Sequence, residues 1–150
     1  MISSSAPTAE VLVAPSLDEH LAVRHRVFVE LQGLFEGTDV DAFDSLPETL
    51  HAVAVVDGEV VGTVRLYPLG DGLWKGDRLA VLPDARVHRL GAALVNFAVR
   101  TAGSLGGVRM VAQVQTSNVR FFERLGWELD GEPALYHGAP HQPMAIELSR

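Results

Sequence analysis

The 150-residue sequence predicts an α/β domain of the mixed α+β kind, a central mixed, mostly antiparallel sheet flanked by helices. Three observations lead there. Asp57-Gly58 lies between two apolar-rich runs, residues 51–56 and 59–67, and an Asp-Gly pair supplies the positive φ angles of a two-residue hairpin turn. From Leu90 to about Leu105, apolar residues recur at helical spacing, with Leu90, Ala93, Leu94, Phe97 and Ala98 on one face. That helix sits between two strand-like runs, so a strand-helix-strand unit follows several antiparallel strands.

The other elements fall in order around these. Met1 to Ser5 are small and polar, and about eight N-terminal residues are expected to be flexible. Residues 10–14 alternate as a first strand. Asp18 precedes apolar Leu21, Ala22, Val27, Phe28 and Leu31, a helix that ends near Gly33. Glu36, Asp39, Asp41 and Asp44 then form an acidic stretch, read either as a solvated loop or as a gate for a cationic substrate. A second turn at Gly70, Asp71 and Gly72 leads to a strand around residues 78–81, stopped by Pro83. Gly106 and Gly107 end the long helix. Residues 108–114 read as a buried strand, 118–125 as a short helix and 144–148 as a final strand.

Composition narrows the chemistry. With 47% hydrophobic and 21% charged residues, positions 1–150 suit one globular domain. The absence of cysteine removes disulfides, thiolate nucleophiles and cysteine-ligated zinc. The six histidines form no close-spaced helical pair, so no metal is expected, and no GxSxG element marks a serine hydrolase. No apolar run reaches the roughly 18–20 residues of a membrane span, and the N-terminus lacks a secretion-signal pattern. The expectation is a cytoplasmic protein with no membrane partner. A net charge of −7 disfavours broad nucleic-acid binding. Arg78, Arg86, His88 and Arg89 nevertheless make a local basic strip suited to a phosphorylated ligand.

The segment "RLAVLPDARVHRLGAALVNFA", from Arg78 to Ala98, runs from a strand through a basic loop into an amphipathic helix. Unpaired N–H groups at the helix start, at the positive end of its dipole, can receive a pyrophosphate, with Arg86 and Arg89 adding charge-assisted bonds; the alternative is solvated arginines.

This segment resembles the acyl-coenzyme-A signature of the GNAT acyltransferase superfamily: Arg86 and Gly91 match its ends, "LAVLPDAR" its central strand and turn, and "LGAALV" the start of its coenzyme helix. "NVRFFERLGW" is similar to the family's downstream block. "RHRVFVELQG", "DVDAFD", His51 and "VVGTVRL" resemble the subgroup that includes autoinducer-synthase-like acyltransferases. "YHGAPHQPM" is similar to the acetyltransferase domain of bacterial nitrilase-containing gene clusters. The resemblance spans nearly the whole chain. It implies an N-acyltransferase that moves an acyl group from acetyl-coenzyme A, or another acyl-coenzyme A, to the amine of a small molecule, with a homodimer possible. An acyl carrier protein or aminoacyl-tRNA donor, and a noncatalytic coenzyme-sensing domain, are the alternatives.

The resemblance also implies site residues. Backbone groups of Leu79, Ala80 and Val81 would hold the thioester arm, and Arg86, Val87, His88, Arg89, Leu90, Gly91 and Ala92 the pyrophosphate. Asn118 and Phe122 would line the arm, although an asparagine before a helix is equally an N-cap. Two departures stand out. Arg89 occupies a required glycine position, with Val87 nearby where glycine is common, and Phe122 replaces a tyrosine that protonates the departing thiolate in many relatives; phenylalanine cannot donate a proton. For the base, His51, His137, His141, Glu30 and Asp77 are the titratable candidates. Tyr136 and His141 sit in a Gly- and Pro-rich loop where relatives contact substrate, and Tyr136 is a substitute for the missing acid. The structural alternatives are a packed Tyr136 ring and histidines that cap the loop. Trp74 and Trp127 read as packing residues.

Overall fold

Turn chemistry builds the antiparallel part of the sheet. The computed structural model describes residues 9–149, without the side chains of residues 86–88, so the N-terminal segment expected to be flexible lies outside the described residues. Strand β1 (Ala9–Val13) pairs with β2 (Leu50–Val56), and β2 with β3 (Glu59–Gly70). The β2–β3 turn places Asp57 at φ 49° and Gly58 at φ 84°, as Asp-Gly predicts. A second tight turn, with Asp71 at φ 55° and Gly72 at φ 80°, joins β3 to β4 (Leu73–Val81), which starts five residues earlier than residue 78.

The C-terminal part corrects the sequence reading. The loop expected around Tyr136 and His141 is itself a hairpin, β7 (Ala134–Tyr136) and β8 (Ala139–Glu147), turned by His137 at φ 50° and Gly138 at φ 78°. His-Gly is a weaker turn signal than Asp-Gly, and the prolines of β8 mask its alternation. Strand order is β1-β2-β3-β4-β5-β8-β6, with β5 (Arg109–Gln115), β6 (Glu128–Leu129), and β7 paired to β8. Only β4 and β5 are parallel.

Helices cover both faces. Helix α1 (Leu17–Arg24) is capped by Ser16, whose hydroxyl accepts from the Asp18 N–H, and runs directly into a π-helical segment, His25–Leu31, that buries Val27 and Phe28. Helix α2 (Leu90–Ser104) follows a 3-10 segment, Pro83–His88, and α3 (Val119–Arg124) follows β5. Two cores result. On one face Leu94, Val95 and Ala98 of α2 pack with Val64, Leu66, Met110, Phe122 and both tryptophans; on the other, Val23, Val27 and Phe28 pack with Ala80. Trp74 and Trp127 are thus packing residues, as expected.

Candidate active site

The decisive geometry is in β4. Its first residues, Leu73, Trp74 and Lys75, pair with Arg109, Met110 and Val111 of β5, and there the parallel ladder stops. Beyond Lys75 the two strands diverge. The cause lies at Arg78, whose φ of 53° is in the left-handed region. The β3–β4 register shifts between Thr63 and Arg65 at this point, a β-bulge that bends the strand. Thr63 Oγ donates to the Arg78 carbonyl at 2.8 Å and fixes the bulge.

The bulge also reorders side chains. Leu79 and Val81 pack on the α2 face and Ala80 on the α1 face, as strand alternation requires, whereas Trp74, an odd five residues before Leu79, shares the α2 face because the bulge cancels one step. Asp77 and Arg78, consecutive in sequence, both join one cluster on the α1 face. Arg65 donates to Asp77 at 2.7 and 2.6 Å and to Asp41 at 2.6 and 3.1 Å. Arg24 binds Asp44 in bidentate fashion at 2.7 and 3.0 Å and Asp39 at 2.7 Å. Arg78 reaches the Asp39 carbonyl at 2.8 Å and lies 4.6 Å above the Phe35 ring. The acidic stretch is therefore neither a solvated loop nor an open gate: Asp39 and Asp44 are buried. Arg78 likewise belongs to this cluster, not to a phosphate-facing strip. Sequence spacing gave no warning, because the pairs join residues 12 to 39 positions apart.

Burial would raise the Asp44 carboxyl, but the hydrogen bonds from Arg24 and the Asp41 N–H, with the Arg24 and Arg65 charges, hold it well below the ordinary carboxylate range. His20, fully buried, is pushed down to about 3 by burial first and then by Arg24 and His51. His51 stands edge-on to His20 at 4.9 Å and its Nε2 donates to the Asp44 carbonyl at 3.3 Å. Burial lowers its pKa too.

Where β4 and β5 part, a cleft of about 800 Å³, including its open mouth, passes through the sheet. Its walls come from both cores: Phe28, Leu34 and Phe35 on the α1 side, Val95, Ala98 and Trp127 on the α2 side. Of the residues singled out from sequence, the fold brings Tyr136, His141, Leu79, Asn118, Phe122 and Asp77 to this cleft. Asn118 occupies the N-cap position of α3 but makes no capping bond with its side chain among the described residues. Phe122 stacks edge-on with Trp127 at 5.3 Å. His141 Nδ1 lies 2.9 Å from the Ala139 carbonyl, which can only accept, so Nδ1 carries the proton and Nε2 is the basic nitrogen. Tyr136 Oη is 3.4 Å from Arg78 Nη1, and its ring is 5.0 Å from that of His141.

Other candidates lie elsewhere. His51 is part of the cluster around Asp44 and does not line the cleft; the side chains of Ala80 and Val81 pack in the α1 and α2 cores, and their backbone groups, the ones the resemblance names, lie on β4 beyond its ladder with β5. Glu30 pairs with Arg26 on an exposed helix face, and His137 stacks on Phe35 at the mouth. The start of α2 is a second feature. Arg89, at φ 56°, is its N-cap, and no side chain among the described residues caps the helix. The first N–H groups, of Leu90, Gly91 and Ala92, therefore lack a side-chain acceptor. Gly91 lies against Phe121 of α3; a Cβ there would meet the ring at 3.4 Å. The side chains of Arg86, Val87 and His88 lie outside the described residues.

Comparison with known proteins agrees with this geometry. The acetyltransferase (GNAT) family model matches residues 18–127. The Bacillus subtilis protein YyaT is 30% identical over 135 residues, covering 89% of this chain and 90% of that protein. Among solved structures, an acyl-CoA N-acyltransferase from Pseudomonas aeruginosa matches with a TM-score of 0.79 at 24% identity, over 93% of this chain and 99% of that one. The CoA-dependent acyl-homoserine lactone synthase BjaI, solved with SAM and isopentyl-CoA, matches with a TM-score of 0.75 at 20% identity, over 97% and 85%. The latter two speak for the fold, including its likeness to the autoinducer-synthase group.

Proposed function

The chain belongs to the acetyltransferase (GNAT) family and is an acyltransferase, and on that premise we propose that it transfers acetyl from acetyl-coenzyme A to the amine of a small molecule by direct attack. The observation that carries this reading is the cleft through the sheet. A cleft lined from both faces of the sheet lets donor and acceptor meet where β4 and β5 part, so proximity supplies much of the rate.

The donor belongs on the α2 side. The uncapped start of α2 offers N–H groups to a pyrophosphate, with Arg89 beside them. Asn118, Phe122 and Leu79 lead from there into the cleft. Past Lys75, the β5-facing edge of β4 has no strand partner among the described residues, so its N–H groups can bind the thioester carbonyl as charge develops on oxygen. The acceptor belongs on the α1 side, with His141 and Tyr136.

In the reaction an amine nitrogen bonds to the thioester carbon and the carbon–sulfur bond breaks. The ammonium loses two protons in all. His141 Nε2 accepts one and passes it to solvent, and the other ends on the leaving thiolate by way of the Tyr136 hydroxyl, which takes the acid's role that Phe122 cannot fill.

The direct test mixes the protein with acetyl-coenzyme A and a panel of primary amines, reading free thiol and acetylated product by mass spectrometry. Product formation, with acetyl-coenzyme A raising the melting temperature, is expected. No thermal shift at millimolar acetyl-coenzyme A overturns the reading.

A further inference from the structure

We propose that the acceptor is an amino acid with an apolar or aromatic side chain, recognised through its carboxylate by Arg78 and Lys75 and through its side chain by the wall of Phe28, Leu34 and Phe35. This deepens the acyltransferase reading and rests on it. The case comes from which polar atoms along the cleft are already occupied.

Asp77 reaches the cleft, but both its oxygens are taken by Arg65 at 2.7 and 2.6 Å, so its charge is neutralised within the cluster. The cations there are less engaged. On Arg24 and Arg65 every side-chain nitrogen has a partner at 3.0 Å or less. Arg78 Nη1 differs. Among the described residues it has only Tyr136 Oη at 3.4 Å and Asp77 Oδ2 at 3.7 Å, although its Nε and Nη2 are held by Asp39 and Asp41. Lys75 also lines the cleft and forms no ion pair or side-chain hydrogen bond with the described residues. The cleft thus offers cationic donors that lack strong acceptors, next to one basic acceptor, His141 Nε2.

A zwitterion matches that inventory. Its carboxylate gives Arg78 Nη1 and Lys75 the acceptor they lack, in the charge-assisted form that is strongest where water is excluded. Its ammonium then faces His141, the group that must deprotonate it. A simple amine would leave the donors unmatched, which a partly buried site disfavours. The remaining α1-side wall is apolar: Phe28 and Phe35 lie edge-on at 6.2 Å, with Leu34 beside them. This wall fits an apolar side chain and offers no partner to a charged one.

The test compares L-phenylalanine with phenethylamine, which keeps the ring and ammonium but lacks the carboxylate, in the acetyl-coenzyme A assay of the full chain. The expected result is a kcat/KM at least tenfold higher for phenylalanine. Lys75→Gln should raise KM for phenylalanine severalfold more than KM for phenethylamine; it avoids the buried cluster and so keeps the fold. Phenethylamine used equally well or better, or a Lys75→Gln effect equal for both substrates, overturns the proposal. Coenzyme A binding by calorimetry separates the failures. Binding without acetylation of phenylalanine overturns the amino-acid assignment alone, whereas no binding overturns the acyltransferase reading beneath it.

Discussion

Asp77 and Arg78 are consecutive in β4, yet both side chains lie on the same face of the sheet, Arg78 Nη1 standing 3.7 Å from Asp77 Oδ2. A regular strand would send them to opposite faces. The left-handed backbone at Arg78 cancels one step of the alternation, and the same bulge coincides with the parting of β4 from β5. One backbone irregularity therefore opens the cleft and sets an arginine beside it.

Thr63→Val should loosen that bulge. The substitution keeps the side-chain shape but leaves the buried Arg78 carbonyl without its 2.8 Å partner, at a cost of about 1–3 kcal/mol. Urea unfolding should register the loss. Turnover should fall further than the unfolded fraction explains, since the backbone beside the thioester moves.

Arg89→Gly should stabilise the protein. Arg89 holds φ 56° with a side chain attached, and for an L-residue the left-handed region costs roughly 1–2 kcal/mol relative to glycine. A rise in melting temperature of about 2–4 °C per kcal/mol is expected for a chain of this size. Arg89→Ala keeps the Cβ and should show no such rise. Equal shifts for both variants would place the effect in the charge and not in the backbone.

Stability should fall as pH drops from about 6.5 towards about 3. His20 stays neutral in the fold while the unfolded chain takes up a proton, so each pH unit in that window costs up to about 1.4 kcal/mol. His51, also lowered by burial, acts in the same direction. Asp44 adds its loss as pH falls through the ordinary carboxylate range, because its folded pKa is depressed and the unfolded carboxylate takes up its proton first. Denaturant titrations of His20→Phe between pH 7 and pH 4.5 should give a flatter profile than the parent.

His141→Gln should lower kcat by about 10²- to 10⁴-fold, the range for a lost general base, with coenzyme A affinity unchanged. Tyr136→Phe should lower kcat with the basic limb of the pH–rate profile altered. Calorimetry with coenzyme A and steady-state kinetics check both variants. A parallel loss of coenzyme affinity would assign these residues to donor binding instead.

Asp44→Asn should be among the most damaging surface-remote substitutions. It leaves the buried Arg24 guanidinium without its bidentate carboxylate, and one amide oxygen is left to serve both Arg24 and the Asp41 N–H. Breaking a buried pair from one side costs about 3–5 kcal/mol. A drop in unfolding free energy of that order is expected, measured at pH 7.

Much of the fold was legible along the chain. Two Asp-Gly turns fixed the register of β2, β3 and β4, because their geometry requires positive φ at both central positions. The apolar spacing of α2 predicted its buried face through Leu90, Leu94 and Ala98. The β7–β8 hairpin was not legible, since His137 adopts a conformation that tertiary pairing imposes more than its residue type favours. The site divides in the same way. Tyr136, His141, Asn118 and Phe122 follow from family-like segments, but the roles of Asp39, Asp44, Arg65 and Arg78 do not, since opposite charges far apart in sequence carry no pairing signal until the chain closes.

Local chemistry, read from the sequence alone, thus determined the β2–β3 hairpin, the two Asp-Gly turns and the periodicity of helix α2. The tertiary structure alone decided that Arg78 turns away from that helix into the aspartate cluster, that His51 is half-buried against His20 and does not line the cleft, and that the cleft draws its walls from both faces of the sheet. The reason is physical: strand alternation and helix periodicity are set by neighbours a few residues away, whereas a bulge, a buried ion network and a gap between parallel strands exist only once distant segments pack.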